Sequence, residues 1–248
     1  MVVPRRFSLA ILAVLVLSRW SSSAARADVK SAISQATRGF RDVTLTCKVL
    51  YANHAELKKI GKDFNKSYEF KSTTVRFKSP DKMKMEGKLG LIKAVVVING
   101  DRKATILPAI HYSKKENIRD KPHKRQTDID IGIVTGSLWQ DYTVTSAVEE
   151  RGANGPVYKI TFVRENSHEK KHICWVDAKA LKLLKVEKYE SDGSLKSRYI
   201  YSKHSLIDGD IWVPGRIDVY NQDGKLAGTT TYENISINTG IPDSVFKI

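Results

Sequence analysis

By type and spacing, the side chains best suited to chemistry are His168, His172 and Cys174. Two imidazoles and a thiol are zinc donors, and zinc takes such ligands in tetrahedral sets. A spacing of four converges two imidazoles only on a helix, where i and i+4 share a face. The surrounding residues alternate as a strand, so two surface histidines are the better reading and no metal site is expected. Cys47 and Cys174 are the only cysteines. In an oxidising compartment an even pair suggests a disulfide. Cys47 also shares a strand face with Leu45 and Val49, so a buried free thiol is equally natural. The chain has no G-x-S-x-G elbow, Gly-rich phosphate loop or C-x-x-C, and although His168-Glu169-Lys170-Lys171-His172 has the H-E-x-x-H spacing, that motif binds zinc only on a helix. No cofactor is called for, and a role other than catalysis is expected.

The elements that would carry a binding function are strands. Asp192-Gly193, Asp208-Gly209 and Asp223-Gly224 punctuate the C-terminal third. Asp-Gly is a strong hairpin signal because both central residues of a type I′ turn need positive φ. Turns about 15 residues apart make successive strands fold back as an antiparallel meander. Upstream, Val43, Leu45, Cys47, Val49 and Tyr51 alternate with polar residues. Lys82-Met83-Lys84-Met85-Glu86 alternates too, sending both methionines to one face. Residues 91–98 form an almost continuous apolar run, ended by Asn99-Gly100, and such a strand needs cover on both faces. Val29, Ile33, Ala36 and Phe40 recur at helical spacing after Asp28. Residues 52–66 are polar and read as a protruding hairpin end. Between residues 126 and 142 the strand pattern lapses, yet Ile129, Ile131, Ile133, Val134, Leu138 and Trp139 make this loop greasy. Long apolar loops in a β domain usually cover something.

The N-terminus carries Arg5 and Arg6, then an apolar run from Leu9 to Leu17, then Ala25-Arg26-Ala27. This is the pattern of a secretory signal peptide cleaved after Ala27. Roughly nine apolar residues fall short of the ~20 that span a bilayer as a helix. Residues 28–248 then make one domain in an exported protein, with no internal linker and with a monomer expected. The signal carries four arginines and no acid, so the net charge falls from +15 to +11 in the mature chain. Export makes nucleic acid an unlikely partner and favours anionic lipid or acidic protein faces. Lys114, Lys115, Arg119, Lys121, Lys124 and Arg125 crowd around Pro122. They are the candidate docking patch for a membrane or partner, against the alternative of a solvated loop. The basic and aromatic run Arg198-Tyr199-Ile200-Tyr201 reads as a strand with both tyrosines inward.

Two stretches in order, Ser79-Pro80-Asp81-Lys82-Met83-Lys84-Met85 and Val95-Val96-Val97-Ile98-Asn99-Gly100, resemble the LolA-like outer-membrane lipoprotein-sorting family. So do Trp175-Val176-Asp177, Tyr189-Glu190-Ser191-Asp192-Gly193, Trp212-Val213-Pro214-Gly215-Arg216 and the ending Ile241-Pro242-Asp243-Ser244-Val245-Phe246. The resemblance covers roughly residues 74–248. It implies a mainly β (α+β) fold: one strongly curved, unclosed antiparallel sheet of about eleven strands, with short helices plugging the concave face. It also implies a periplasmic carrier that takes acyl chains of lipoproteins, or another lipid, from an inner-membrane donor towards an outer-membrane acceptor. A sensor that binds lipid or lipoprotein and signals to a membrane partner without transport is the alternative. Carriers of this kind place an Arg before the proline of the strand–turn to hold a helical lid shut. Ser79 stands at that position here, and a hydroxyl lacks the guanidinium fork.

The expected lid comprises Ile33, Phe40, Ile133, Leu138 and Trp139, over a wall including Met83, Met85 and Val97. Methionine suits such a wall because its unbranched thioether adapts to variable chains. Each buried methylene contributes roughly 0.8 kcal/mol, so about 15 give on the order of 12 kcal/mol. Polar contacts of about 1 kcal/mol cannot compete. Affinity would come from wall area, and release would need direct handover.

Overall fold

The computed structural model describes residue 26 and residues 28–121, 124–164, 171–209 and 211–248. Of the expected signal peptide only Arg26 is described; its other residues, along with Pro122 and His168, lie outside the described residues.

The chain enters through helix α1 (28–36) and reaches strand β1 (Asp42–Ala52), which lies in the middle of the sheet. Two short helices, α2 (His54–Ile60) and α3 (Lys62–Ser67), follow. The chain then steps outward, one antiparallel neighbour at a time, through β2 (Ser72–Lys78), β3 (Lys82–Leu89), β4 (Ile92–Asn99), β5 (Arg102–Leu107) and β6 (Tyr112–Asn117). From that edge, residues 118–141 cross to the opposite edge, forming a 3₁₀ turn (Asp128–Ile131) and helix α4 (Leu138–Asp141) on the way. The return runs inward through β7 (Tyr142–Gly152), β8 (Gly155–Arg164), β9 (Lys171–Asp177), β10 (Leu183–Tyr189) and β11 (Leu195–Ser202). A separate hairpin, β12 (Ser205–Ile207) with β13 (Ile211–Val213), precedes β14 (Arg216–Asn221) and β15 (Leu226–Ile237). β15 pairs with β1, with Val43 opposite Ile237. The result is a thirteen-stranded antiparallel sheet that does not close, with edges β6 and β7. Its strand number exceeds the expected eleven.

Alternation explains which face each strand buries. Phe77 lies opposite Met83 and Val75 opposite Met85, and their partners Ile98 and Val96 continue the row on β4. Two core clusters fill this inner face, one around Ile160, Phe162 and Tyr201 and the other around Phe77, Met83 and Ile98. The 118–141 crossover supplies Ile129, Val134 and Leu138 to the first and Ile118, Ile131 and Ile133 to the second. The greasy loop is therefore a strap across the inner face.

β4 needs cover on both faces, as its apolar run implied, and the chain's last residues provide it on the outer side. Val95 and Val97 pack there with Ile241 and the fully buried Phe246. Lys78 and Lys82 donate to Asp243 at 2.6 and 2.8 Å, and Asn99 Nδ2 donates to the Phe246 carbonyl at 3.2 Å. The two lysines hold the Asp243 carboxyl down to about 2. Buried Asp42 accepts the backbone N–H groups of Thr239 and Gly240 at 2.9 and 3.1 Å, which fixes where this segment turns.

Three local expectations are corrected. Residues 52–66 are not a hairpin end. Asn53 caps α2 through Oδ1, which accepts from Ala55 N and Glu56 N, and Leu57 and Ile60 are buried. Asp192-Gly193 and Asp223-Gly224 are not type I′ turns, since only the glycine of each has positive φ; Asp208-Gly209 alone has both. At Asp192 the carboxylate instead accepts Ser194 N at 2.8 Å, and Gly193 takes the left-handed position of a three-residue loop. Finally, a register shift between Val49 and Tyr51 turns Leu50 and Tyr51 out to solvent.

Candidate functional site

The inner face leaves two adjoining hollows, both bordered by Tyr68 and Thr230. The first, of about 210 Å³, lies among Val49, Phe70, Val75, Met85, Ala94 and Val96. Gly87 belongs to it for a steric reason: an added Cβ would sit 2.8 Å from the Phe70 ring and 3.0 Å from the Ser72 carbonyl. The second, of about 140 Å³, lies beneath α3 and the strap, among Phe64, Ile129, Tyr142, Phe162, Val186 and Tyr199. Tyr68 separates them. Its ring packs close against Gly228 of β15, where an added Cβ would fall 2.6 Å from the phenol Cζ. Phe64 packs on Tyr68 with ring centres 5.5 Å apart and on Tyr199 at 6.1 Å. Burial pushes the Tyr68 phenol pKa well up, so the divider is neutral.

The first hollow is dry in character. Cys47 lines it, and burial, partly opposed by a hydrogen bond with Thr230, pushes its thiol up to about 11. The second carries polar groups at one end: Asp130 and Lys188, 3.5 Å apart, and His172. His172 is not a surface histidine. It is half-buried and meets Phe162 edge-on at 5.3 Å and Tyr142 at 6.4 Å. No group of three metal-donor side chains is found among the described residues.

The strap is tied down by a buried carboxylate. Asp128 Oδ2 accepts from Ser79 Oγ at 3.2 Å, from Ser137 Oγ at 2.7 Å and from Thr135 Oγ1. Ser79 thus links the β2–β3 turn to the strap, although a hydroxyl stands where the resemblance calls for an arginine. Burial raises the Asp128 carboxyl above its usual range, while the three hydroxyl bonds work against that rise. Thr127 and Asp130 cap the 3₁₀ turn reciprocally, and Thr127 Oγ1 meets Tyr142 Oη at 3.0 Å. Gly132 (φ 88°) closes the turn against Pro214, where a Cβ would lie 2.6 Å from the ring.

Of the eight residues expected to form lid and wall, Met85 lines a hollow. Met83, Phe40 and Ile133 are packed together in one core cluster, with Phe40 stacked on Phe77 at 6.4 Å. Ile33 and Leu138 are buried in the other cluster, and Trp139 packs half-buried against it. Val97 is on the outer face, opposite Lys84, and cannot belong to the wall. The residues missed were Leu57, Ile60, Phe64 and Tyr68. Their spacing of three, four and four is a helical stripe, masked by the lysines between them.

The basic cluster is divided. Lys114 and Lys115 belong to edge strand β6, where lysine also discourages pairing with another sheet. Arg119 and Arg125 both bond Asp101, and Lys124 reaches Glu116 at 3.5 Å. Lys121 is exposed on the turn that follows β6. The disulfide between Cys47 and Cys174 is not formed. β15, β14, β11 and β10 stand between their strands, and both thiols are free.

A family model described as an uncharacterized protein matches residues 71–248, well over half of the chain. The chain belongs to that family. Its fold is the LolA-like one. A LolA superfamily protein of Nitrosomonas europaea superposes with TM-score 0.59 at 15% identity, covering 88% of this chain and 97% of the other. A candidate outer membrane lipoprotein-sorting domain of Vibrio parahaemolyticus gives 0.60 at 15%, covering 89% and 94%. A DUF1329 family protein of Desulfovibrio piger gives 0.54 at 15%, covering 89% and 95%. No curated protein matches the chain. No helix among the described residues is long and apolar enough to cross a membrane.

Proposed function

We propose that this protein is an exported carrier that holds the acyl chains of a lipid or lipoprotein between the inner face of the sheet and the α3–strap cover. The observation that carries the reading is the apolar hollow around Val49, Phe70, Met85 and Val96, separated by one ring from a second hollow. The LolA-like fold agrees with it, and the periplasm is the compartment it implies. Each hollow is smaller than the ~300–1,000 Å³ of a typical ligand pocket. A full acyl chain therefore requires Tyr68 and α3 to move aside and join the two. This movement is local, because α3 is only six residues long, although it would also strain the 2.8 Å hydrogen bond between the buried Asn65 Oδ1 and His54 Nδ1.

Selectivity would lie in length and girth rather than in head-group recognition, since the first hollow offers an incoming chain mainly carbon, with the hydroxyls of Ser67, Tyr68, Thr73 and Thr230 and the Cys47 thiol. A loaded protein could not empty into water, because each methylene released costs about 0.8 kcal/mol. Delivery would pass to a membrane or a second protein in contact with the mouth. The test is native mass spectrometry with lipid extraction on the mature chain purified from its own envelope. Bound phospholipid or acylated peptide supports the reading. An empty protein that also fails to take up a fluorescent fatty-acyl probe overturns it.

A further inference from the structure

We propose that the end of the sheet bearing the β3–β4 and β5–β6 turns seats directly on an anionic phospholipid bilayer. The strand register places these turns together. Lys48 near the end of β1 lies opposite Ser72 at the start of β2, Thr73 opposite Gly87, Leu89 opposite Ile92, and Leu107 opposite Tyr112. Six of the seven large apolar residues exposed among the described residues therefore sit at one end: Leu50, Tyr51, Leu91, Ile92, Ile110 and Tyr112. Scattered exposed leucines need no explanation, but a set gathered at one end of a sheet does. Leu91 is 98% exposed at the tip of the β3–β4 turn, and Ile110 is 57% exposed at the next tip. Both follow or precede a left-handed residue, Gly90 and His111, which holds the tip outward.

The charge around these tips selects the partner. Residues 67–72, 87–93 and 107–115 contain five lysines and one glutamate, and two of these lysines, Lys93 and Lys114, also reach Glu86 and Glu116 just outside these stretches at 3.4 and 3.1 Å. Lys88 and Lys93 stand directly opposite each other across β3 and β4, with Glu86 the counter-charge to Lys93. Apolar tips ringed by lysine fit the interfacial region of an anionic bilayer, where side chains enter the acyl boundary and ammonium groups meet the head groups. The first hollow reaches towards this same end, since Phe70, Gly87 and Ala94 line it within a few residues of the tips. This inference rests on the carrier reading for its purpose: a chain leaving the hollow would enter the bilayer without crossing water.

The experiment is vesicle flotation of the mature protein with phosphatidylcholine alone and with phosphatidylcholine–phosphatidylglycerol mixtures. Binding is expected only with phosphatidylglycerol and should weaken with added salt. Leu91→Asp combined with Ile110→Asp should lower that binding by about tenfold or more, with an unchanged melting temperature because both side chains are exposed. Leu206→Asp, on the β12–β13 hairpin away from this end, should leave binding unaltered. Absence of binding to phosphatidylglycerol vesicles overturns the proposal. So does equal loss with Leu206→Asp, or a dimer in solution that Leu91→Asp dissolves. Lipid content of the purified double variant separates the two readings. Retained cargo with lost flotation supports docking through these tips, whereas a wild-type protein that floats but never holds cargo sinks the carrier reading alone.

Discussion

Filling the first hollow should strengthen the empty protein and weaken its hold on lipid by the same amount of free energy. Ala94 is buried on the inner face of β4, and its methyl borders the hollow of about 210 Å³. Ala94→Leu adds three carbon groups pointing into that space. At about 0.8 kcal/mol per methylene removed from water, the folded state gains up to about 2.4 kcal/mol. In a domain of this size 1 kcal/mol moves the melting temperature by roughly 2–4 °C, so an increase of about 5–10 °C is expected. A guest chain loses room for about three methylenes, which weakens binding by about fifty-fold at 1.4 kcal/mol per tenfold. Calorimetry on delipidated protein reads the first quantity, and titration with a fluorescent fatty-acyl probe reads the second. A variant that melts lower while binding the probe as before would refute the reasoning. It would mean that the space is already used by neighbouring side chains and that Leu overpacks it.

Three further outcomes are expected. Gly132→Ala should destabilise the fold by about 1–3 kcal/mol in urea titration, since it combines an unfavourable φ with a clash against Pro214. Both thiols should resist a disulfide-exchange reagent at pH 8 in the folded protein, with Cys174 more protected than Cys47, and both should react once the chain is unfolded without reductant; finding none reactive would indicate a bridge. Asp128 binds its proton more tightly folded than unfolded, because burial raises it above the ordinary 3.8. Its contribution to stability is therefore greatest below that value and declines as pH rises through the folded value, and Asp128→Asn should flatten this part of the stability–pH curve.

Much of the sheet was legible because half-buried strands announce themselves by alternation, as Lys82 to Glu86 does. β4 was legible as doubly covered, but its two apolar faces left nothing to show that Val97 points outward and Val96 inward. The helices α2 and α3 escaped because four apolar residues were spread among lysines and acids, and the polar count outweighed the period. Cavity and core were indistinguishable in the sequence for a deeper reason. Met83 and Met85 share type, strand and face, yet one is packed under Phe40 and the other borders open space. What separates them is the height of the element above, and that depends on where the strap and α3 come to rest. The resemblance to lipoprotein-sorting proteins rested partly on the Ile241–Phe246 ending. The structure gives this motif a physical meaning as the outer cover of β4 rather than a part of the hollow.

The pairing of β15 with β1 has a consequence for how the molecule is made. The first strand waits at the centre with one flank unoccupied until a segment nearly two hundred residues later arrives to zip against it. A chain delivered from its N-terminus can assemble one wing early but cannot complete its middle seam until the end has emerged. A nascent or truncated form would show raw strand margins on both sides of that seam, which makes the interval before the last strand docks the moment of greatest exposure to clumping and to chaperone capture.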